Sequence, residues 1–332
     1  MASNVNLITF DKNNLVRGYV QSWNFTIEKR WKGWTNSAGY VASRSVDQLA
    51  QMDQNWSPLG TGTAGEILNQ KFGRTAPTSL MGTLGTAKYD SLQAHAEHRF
   101  SGGYQISVGY TFSHGRGYTG ETSGAVPTVG LPYEYRKNYG SLSRDIRHNL
   151  QATWIAELPF GKGKRLVPAG PTAAILGGWQ LSSVVSAYTG SPFSATASNA
   201  SLNSIASSQF ADCLVAAREL GNIYQWYDKT DFGAPASGRF GTCGQNSLRG
   251  PGLVNVDAGL DRKFRLTERF ELRFRAESFN LANTPHHANP GATSATSTSV
   301  NSGSFMLATD IRNTGRDGLD ERTFRMGLKL TW

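Results

Sequence analysis

Four sets of residues in this 332-residue chain have types or spacings that chemistry uses. The run Gly115-Arg116-Gly117-Tyr118-Thr119-Gly120 has the G-x-G-x-x-G spacing which, when it opens a helix, presents backbone N–H groups to a pyrophosphate. Residues Glu121 to Pro127 follow it and are unsuited to a helix, so the run is read as a flexible loop after a strand. His95 and His98 are three apart, which on a strand sends them to opposite faces, and His286-His287 stand in a polar stretch beside Pro285. All four are read as surface histidines, and neither a metal nor a cofactor is expected. Glu271, Arg273, Arg275 and Glu277 alternate with apolar residues, and Arg325 and Lys329 join their face if the last two strands pair. Such a face is either the charged lining of an aqueous passage or a ladder of exposed ion pairs, each worth roughly 0.2–1 kcal/mol; the ladder is the simpler reading. No nucleophile, base and oxyanion donor recur in a recognisable arrangement, so an enzyme is not expected. Cys213 and Cys243 are either one disulfide or two unrelated thiols.

Those charges need strands to hold them. Tyr104, Ile106, Val108, Tyr110 and Phe112 alternate with small polar residues, and Phe324, Met326, Leu328, Leu330 and Trp332 alternate with Arg325, Gly327, Lys329 and Thr331. A helix would mix the two sets, whereas a strand separates them onto two faces. Weaker alternation predicts strands at Tyr19 to Glu28, Ser37 to Ala42, Leu92 to Phe100, Leu150 to Leu158, Leu181 to Tyr188 and Val254 to Leu260, with a further clear one at Phe270 to Glu277. Composition agrees: 39% hydrophobic, 17% charged and Gly 37 suit strands and polar loops, not a helical bundle or a disordered polyelectrolyte. The net charge of +9 comes from Lys and Arg scattered singly, so no nucleic-acid partner is expected.

The connections alternate in length. Short ones lie at Lys32-Gly33, Gly102-Gly103 and Thr267-Glu268, with a somewhat longer one from Phe160 to Gly178; long ones run from Arg44 to Lys88, His114 to Arg147, Thr189 to Leu253 and Asn283 to Glu321. Short turns on one rim and long loops on the other characterise barrels of the bacterial outer membrane, which no hydropathy filter for helices detects. Trp23, Trp154, Trp179 and Trp332 at strand ends suit interfacial girdles. The expected class is therefore all-β: an antiparallel transmembrane β-barrel segment of about nine or ten strands. Nine strands are an odd count where single-chain bacterial barrels have even ones, and Met1 to Leu7 carry no signal peptide. The expectation is a carboxy-terminal fragment whose domain, residues 1–332, is a partial barrel without plug domain or signal peptide.

Particular stretches resemble the carboxy-terminal barrel of Oar-like TonB-dependent outer-membrane receptors. They include Tyr19-Val20-Gln21-Ser22-Trp23-Asn24, Asp145-Ile146-Arg147-His148-Asn149, Glu157-Leu158-Pro159-Phe160-Gly161-Lys162-Gly163, Gly177-Gly178-Trp179-Gln180-Leu181, Tyr188-Thr189-Gly190-Ser191-Pro192-Phe193, Leu248-Arg249-Gly250-Pro251-Gly252 and Arg275-Ala276-Glu277-Ser278-Phe279-Asn280-Leu281. The resemblance implies a 22-stranded barrel around an amino-terminal plug, in the bacterial outer membrane, that binds and imports a bulky ligand. Its implied partners are outer-membrane lipid, the barrel assembly machinery, which reads the terminal aromatic Trp332, and the TonB complex, which acts through the plug region. With the long loops outside the cell, a disulfide between Cys213 and Cys243 becomes the expected reading. Two other functions stand beside this one: a secreted or surface β-rich adhesin, and a gene fragment without function.

Overall fold

The computed structural model describes residues 5, 7–10, 12–13, 15–76, 78–118, 128–129, 136–161, 163–167, 169–202, 209–312 and 321–332. The expectations for Met1 to Asn4, Asn6, Thr119 to Pro127 and Lys162 fall outside them. Among the described residues nine long strands form one antiparallel meander: β1 (Tyr19–Trp31), β2 (Trp34–Asp53), β3 (Thr78–Ser101), β4 (Tyr104–Gly117), β5 (His148–Glu157), β6 (Trp179–Tyr188), β7 (Leu253–Arg265), β8 (Glu271–Phe279) and β9 (Thr323–Thr331). Each pairs with its sequence neighbours, and β1 and β9 have one long-strand neighbour each. Two short parallel pairs depart from the antiparallel rule, Leu7–Phe10 beside β3 and Thr128–Val129 beside β2.

The register carries the two-faced pattern from strand to strand. One row runs Ile27, Ala38, Ala94, Tyr110, Leu150, Ala187, Val254, and a second runs Tyr104, Ala156, Leu181, Leu260, Ala276, Met326. Rows of the opposite parity are polar: Glu28, Ser37, His95, Gly109, Gln151, Ser186, Asn255. The apolar face is open, with Phe25 68%, Met326 76% and Leu328 70% exposed, so a solvent other than water must cover it.

The turns have the chemistry their length demands. Lys32 and Gly33 both have positive φ (48° and 85°), the backbone of a two-residue type I′ hairpin whose twist matches the flanking strands. Between β5 and β6 the chain makes helix α1 (Pro171–Leu176), started by proline at its first turn. Gly161 and Gly177 pack so closely there that a Cβ on Gly161 would sit 2.5 Å from the Gly177 Cα. Arg262 stacks on Phe264 and Trp179 and donates to the last carbonyls of α1, those of Ala174 and Ile175. That satisfies groups which a helix end otherwise leaves open.

The segment from Arg44 to Lys88, expected as one long loop, is mostly strand. β2 continues to Asp53 and β3 begins at Thr78, with bulges near Gln48, and only Gln54 to Ala76 or so forms the connection. Above the apolar band outward-facing residues need not be apolar, so hydrophobic alternation stops while the hydrogen-bonded ladder goes on.

The hydrophobic core lies among the long connections, not within the sheet. Phe193, Tyr227, Phe232, Leu248, Phe305 and Met306 pack together there, joining the β6–β7 and β8–β9 connections into one layer on the rim opposite the short turns. Edge-on ring pairs at 5.7 Å (Phe232–Phe305) and 6.4 Å (Tyr227–Phe232) run through it.

Candidate functional site

The polar face and the loop layer above it are the two surfaces able to meet a ligand. On the polar face Glu277 stands opposite Arg325 and Arg273 opposite Lys329, while Glu271 and Arg275 face Thr331 and Gly327. Like charges at Arg273 and Lys329 repel, and Arg273 turns to β7, where its Nε donates to Asp261 at 2.7 Å. Arg275 pairs with Glu277 at 2.5 Å and Lys263 lies 3.6 Å from Glu271. Arg325 lies over the Phe279 ring, 5.2 Å from its centroid. Beside these charges a cavity of about 270 Å³ opens, lined by Thr153, Ser182, Asp257, Arg275 and Glu277. All of these pairs are partly exposed, so each contributes little to stability and leaves its charge available to a solute.

The loop layer is fixed to the sheet by a buried carboxylate. The Asp145 side chain, fully buried, accepts from the Gly115 N–H at 2.7 Å, from His114 at 3.2 Å and from the Arg249 guanidinium, with Arg147 3.7 Å away. Arg249 also donates to the Asp145 carbonyl at 2.8 Å and to that of Gly190 at 3.2 Å. Burial opposes ionisation of Asp145, but the Gly115 N–H and Arg249 outweigh it and hold its pKa below the usual carboxylate range. Two further aspartates act in the same way inside the layer. Arg239 grips Asp212 and Arg218 grips Asp231, with a donation at 2.6 Å to Oδ1, and the hydrogen bonds from these arginines lower both carboxyl pKa values.

Cys213 and Cys243 are joined by a disulfide with a Cα–Cα distance of 5.0 Å, and Cys243 is part of the loop core. In the same layer Leu214, Val215, Leu220 and Tyr224 are exposed by 51–67%.

The remaining candidate residues resolve individually. Gly115 and Gly117 are still in strand β4, not in a loop, and the Gly115 N–H is occupied by Asp145, so no phosphate cradle forms at that end of the run. His95 lies on the polar face with Ser107 Oγ 3.0 Å away, while His98 is not a surface residue: it is 6% exposed, stacked on Tyr104 at 4.5 Å on the other face. His286 is not a surface residue: it is 2% exposed, its Nε2 3.0 Å from the Val254 carbonyl, because the β8–β9 connection folds down onto the top of β7. Among the described residues no three His, Cys, Asp or Glu side chains group as metal ligands. Trp332 ends the chain 87% exposed at the short-turn rim.

Sequence reasoning did not single out the Asp145 cluster. Asp145 and Arg147 stand in one of the stretches that carried the family resemblance and Arg249 in another, while His114 and Gly115 stand in none, and nothing local says that residues 104 positions apart meet.

A family model described as "Outer membrane beta barrel domain" matches residues 1–318. No curated protein matches the sequence. Among solved structures, the outer membrane transporter YddB from Escherichia coli superposes with a TM-score of 0.50 at 9% identity, over 100% of this chain and 34% of its own. The FrpB iron transporter from Neisseria meningitidis gives 0.44 at 11% identity, over 98% of this chain and 32% of its own. The ferric enterobactin receptor PfeA from Pseudomonas aeruginosa gives 0.45 at 12% identity, over 96% and 31%. The chain thus spans about a third of the length of the solved structures it resembles.

Proposed function

The chain belongs to the outer membrane beta barrel domain family, and from that premise we propose that it is the barrel part, toward the carboxy terminus, of an Oar-like TonB-dependent receptor that binds and imports a bulky ligand. The observation that carries this reading is the pairing of an exposed apolar face with a polar, charged face in register across nine strands, roofed at one rim by a packed layer of long connections. The apolar face meets lipid; the polar face lines an aqueous passage; the loop layer meets the outside of the cell. The nine strands are a sector of a 22-stranded barrel, in keeping with the third of YddB that they cover.

Function here is binding and passage. The exposed apolar residues of the loop layer make first contact with a ligand, and Glu271, Arg273, Arg275, Glu277, Arg325 and Lys329 line its way through the lumen. Weak, exposed pairs suit that task, since a pair worth under about 1 kcal/mol exchanges partners with a passing solute at little cost. The TonB complex acts on a plug domain and not on these strands.

Protease treatment of intact cells tests the sidedness. Cleavage within the β6–β7 and β8–β9 connections, with Lys32-Gly33 and Lys164 cut only after the outer membrane is broken, is the expected pattern. Cleavage at the short turns in intact cells overturns it.

A further inference from the structure

We propose that the outer face carries a binding row for a phosphorylated lipid headgroup of the outer leaflet, formed by Arg44, Lys88 and Arg116 and flanked by Trp23 and Tyr40. The register places the three cations side by side on β2, β3 and β4: Arg44 is the partner of Lys88, and Lys88 the partner of Arg116. Neighbouring strands are about 4.8 Å apart, so the row spreads three positive groups over roughly 10 Å, the scale of a headgroup with more than one phosphate.

The row lies on the lipid-facing side. Arg44 has the parity of Tyr40, Lys88 that of Leu92 and Arg116 that of Phe112, three residues that are 41%, 50% and 41% exposed. Its height also fits. Along β2, Arg44 stands ten positions from Trp34 at the short turn. At about 3.3 Å per residue and a tilt of about 40° this is roughly 25 Å across the membrane, the height of the apolar band. The row therefore sits where lipid phosphates sit at the loop-side interface.

The local electrostatics leave it positive. Asp90, one row below, accepts from Arg44 at 2.8 Å and from the Tyr40 hydroxyl at 2.5 Å, and Arg44 lies over the Trp23 ring at 5.1 Å. Asp90 thus orients one guanidinium and neutralises about one charge. Its register partner on β4, His114, is engaged by Asp145. Lys88 and Arg116 are exposed, and no carboxylate lies within ion-pair distance of either among the described residues; Lys88 lies 6.0 Å from the Tyr139 ring centroid. Unpaired cations at the phosphate level, held beside interfacial aromatic rings, attract anionic headgroups by charge-assisted hydrogen bonds. This rests on the apolar face meeting lipid and is independent of what the receptor imports.

The test uses the full-length protein in a neutral maltoside detergent, titrated with bisphosphorylated lipid A, with the same lipid enzymatically dephosphorylated, and with inorganic phosphate, bound lipid being counted by native mass spectrometry. The phosphorylated lipid is expected to bind about tenfold more tightly than its dephosphorylated form. The Lys88→Gln/Arg116→Gln protein is expected to lose that preference with an unchanged lipid-free melting temperature, and millimolar inorganic phosphate is expected not to displace the lipid. Equal binding of the two lipids to the unaltered protein, a comparison that needs no variant, overturns the proposal. So does a preference retained in the double variant, or displacement by inorganic phosphate, which would mark a free-anion site. A protein that never reaches the outer-membrane fraction refutes the membrane placement itself, a separate readout.

Discussion

Asp145 and Arg249, 104 residues apart in the chain, form a part-buried ion pair in which the guanidinium holds both the carboxylate, which is fully buried, and the carbonyl of the same aspartate. The pair joins the β4–β5 connection to the β6–β7 connection, and the Gly115 N–H joins both to the top of strand β4. One residue thereby ties the loop layer to the sheet.

Asp145→Ala leaves Arg249 and Arg147 without their anion. Removing one partner of a fully buried pair typically costs about 3–5 kcal/mol; here water reaches both arginines, so the cost is smaller and concentrated in the loop layer. The expected outcome is faster proteolysis between residues 189 and 252, with an unchanged heat-induced mobility shift of the strand region in gels. Unaltered proteolysis would show that the layer does not depend on the pair.

The same contact sets a pH dependence. Asp145, Asp212 and Asp231 all have lowered folded-state pKa values, so the stability they supply is complete above the unfolded carboxylate value of about 3.9 and is lost as pH falls through their lower folded values. Protection of the β6–β7 connection against hydrogen exchange, after correction for intrinsic rates, should fall as the pH drops below about 4. Protection that rises on acidification would contradict this sign.

The Cys213–Cys243 bridge closes a loop of 30 residues. Chain entropy assigns such a crosslink about 3–4 kcal/mol. Cys213→Ser/Cys243→Ser should lower the unfolding temperature of the loop layer and leave membrane insertion unchanged. Two free thiols found by mass spectrometry of the non-reduced protein would remove the bridge from the account.

Leu328, 70% exposed on the apolar face, and Arg275, on the polar face, should respond oppositely to charge changes. Leu328→Arg places a cation in lipid at a cost of roughly 2–4 kcal/mol near the midplane, whereas Arg275→Gln removes one weak, exposed pair. Folding titrations in lipid vesicles with urea should separate the two variants by about 1–4 kcal/mol, with Leu328→Arg the less stable.

Legibility in the sequence followed the solvent. Where one face meets lipid and the other water, as from Tyr104 to Ser113 and from Phe324 to Trp332, alternation alone identified strand and face. Above the band both faces of a strand meet water, the contrast disappears, and β2 and β3 run far past the ends that alternation indicated. Parity placed Glu271, Arg273, Arg275 and Glu277 on one face; that Arg273 takes Asp261 depends on the β7–β8 register, which no local pattern encodes. The burial of His286 and the Asp145–Arg249 contact depend on how two long connections pack, and their polar composition reads as solvated loop.

One face of the sheet is assigned to lipid and the other to water. Nitroxide labels at successive positions from Phe324 to Leu330, in protein inserted in outer membranes, measure this directly through collision with oxygen and with a water-soluble nickel chelate. Oxygen accessibility should peak at Phe324, Met326, Leu328 and Leu330 and nickel accessibility at Arg325, Gly327 and Lys329, with a period of two. The same accessibility at every position, or the two sets exchanged, would contradict it.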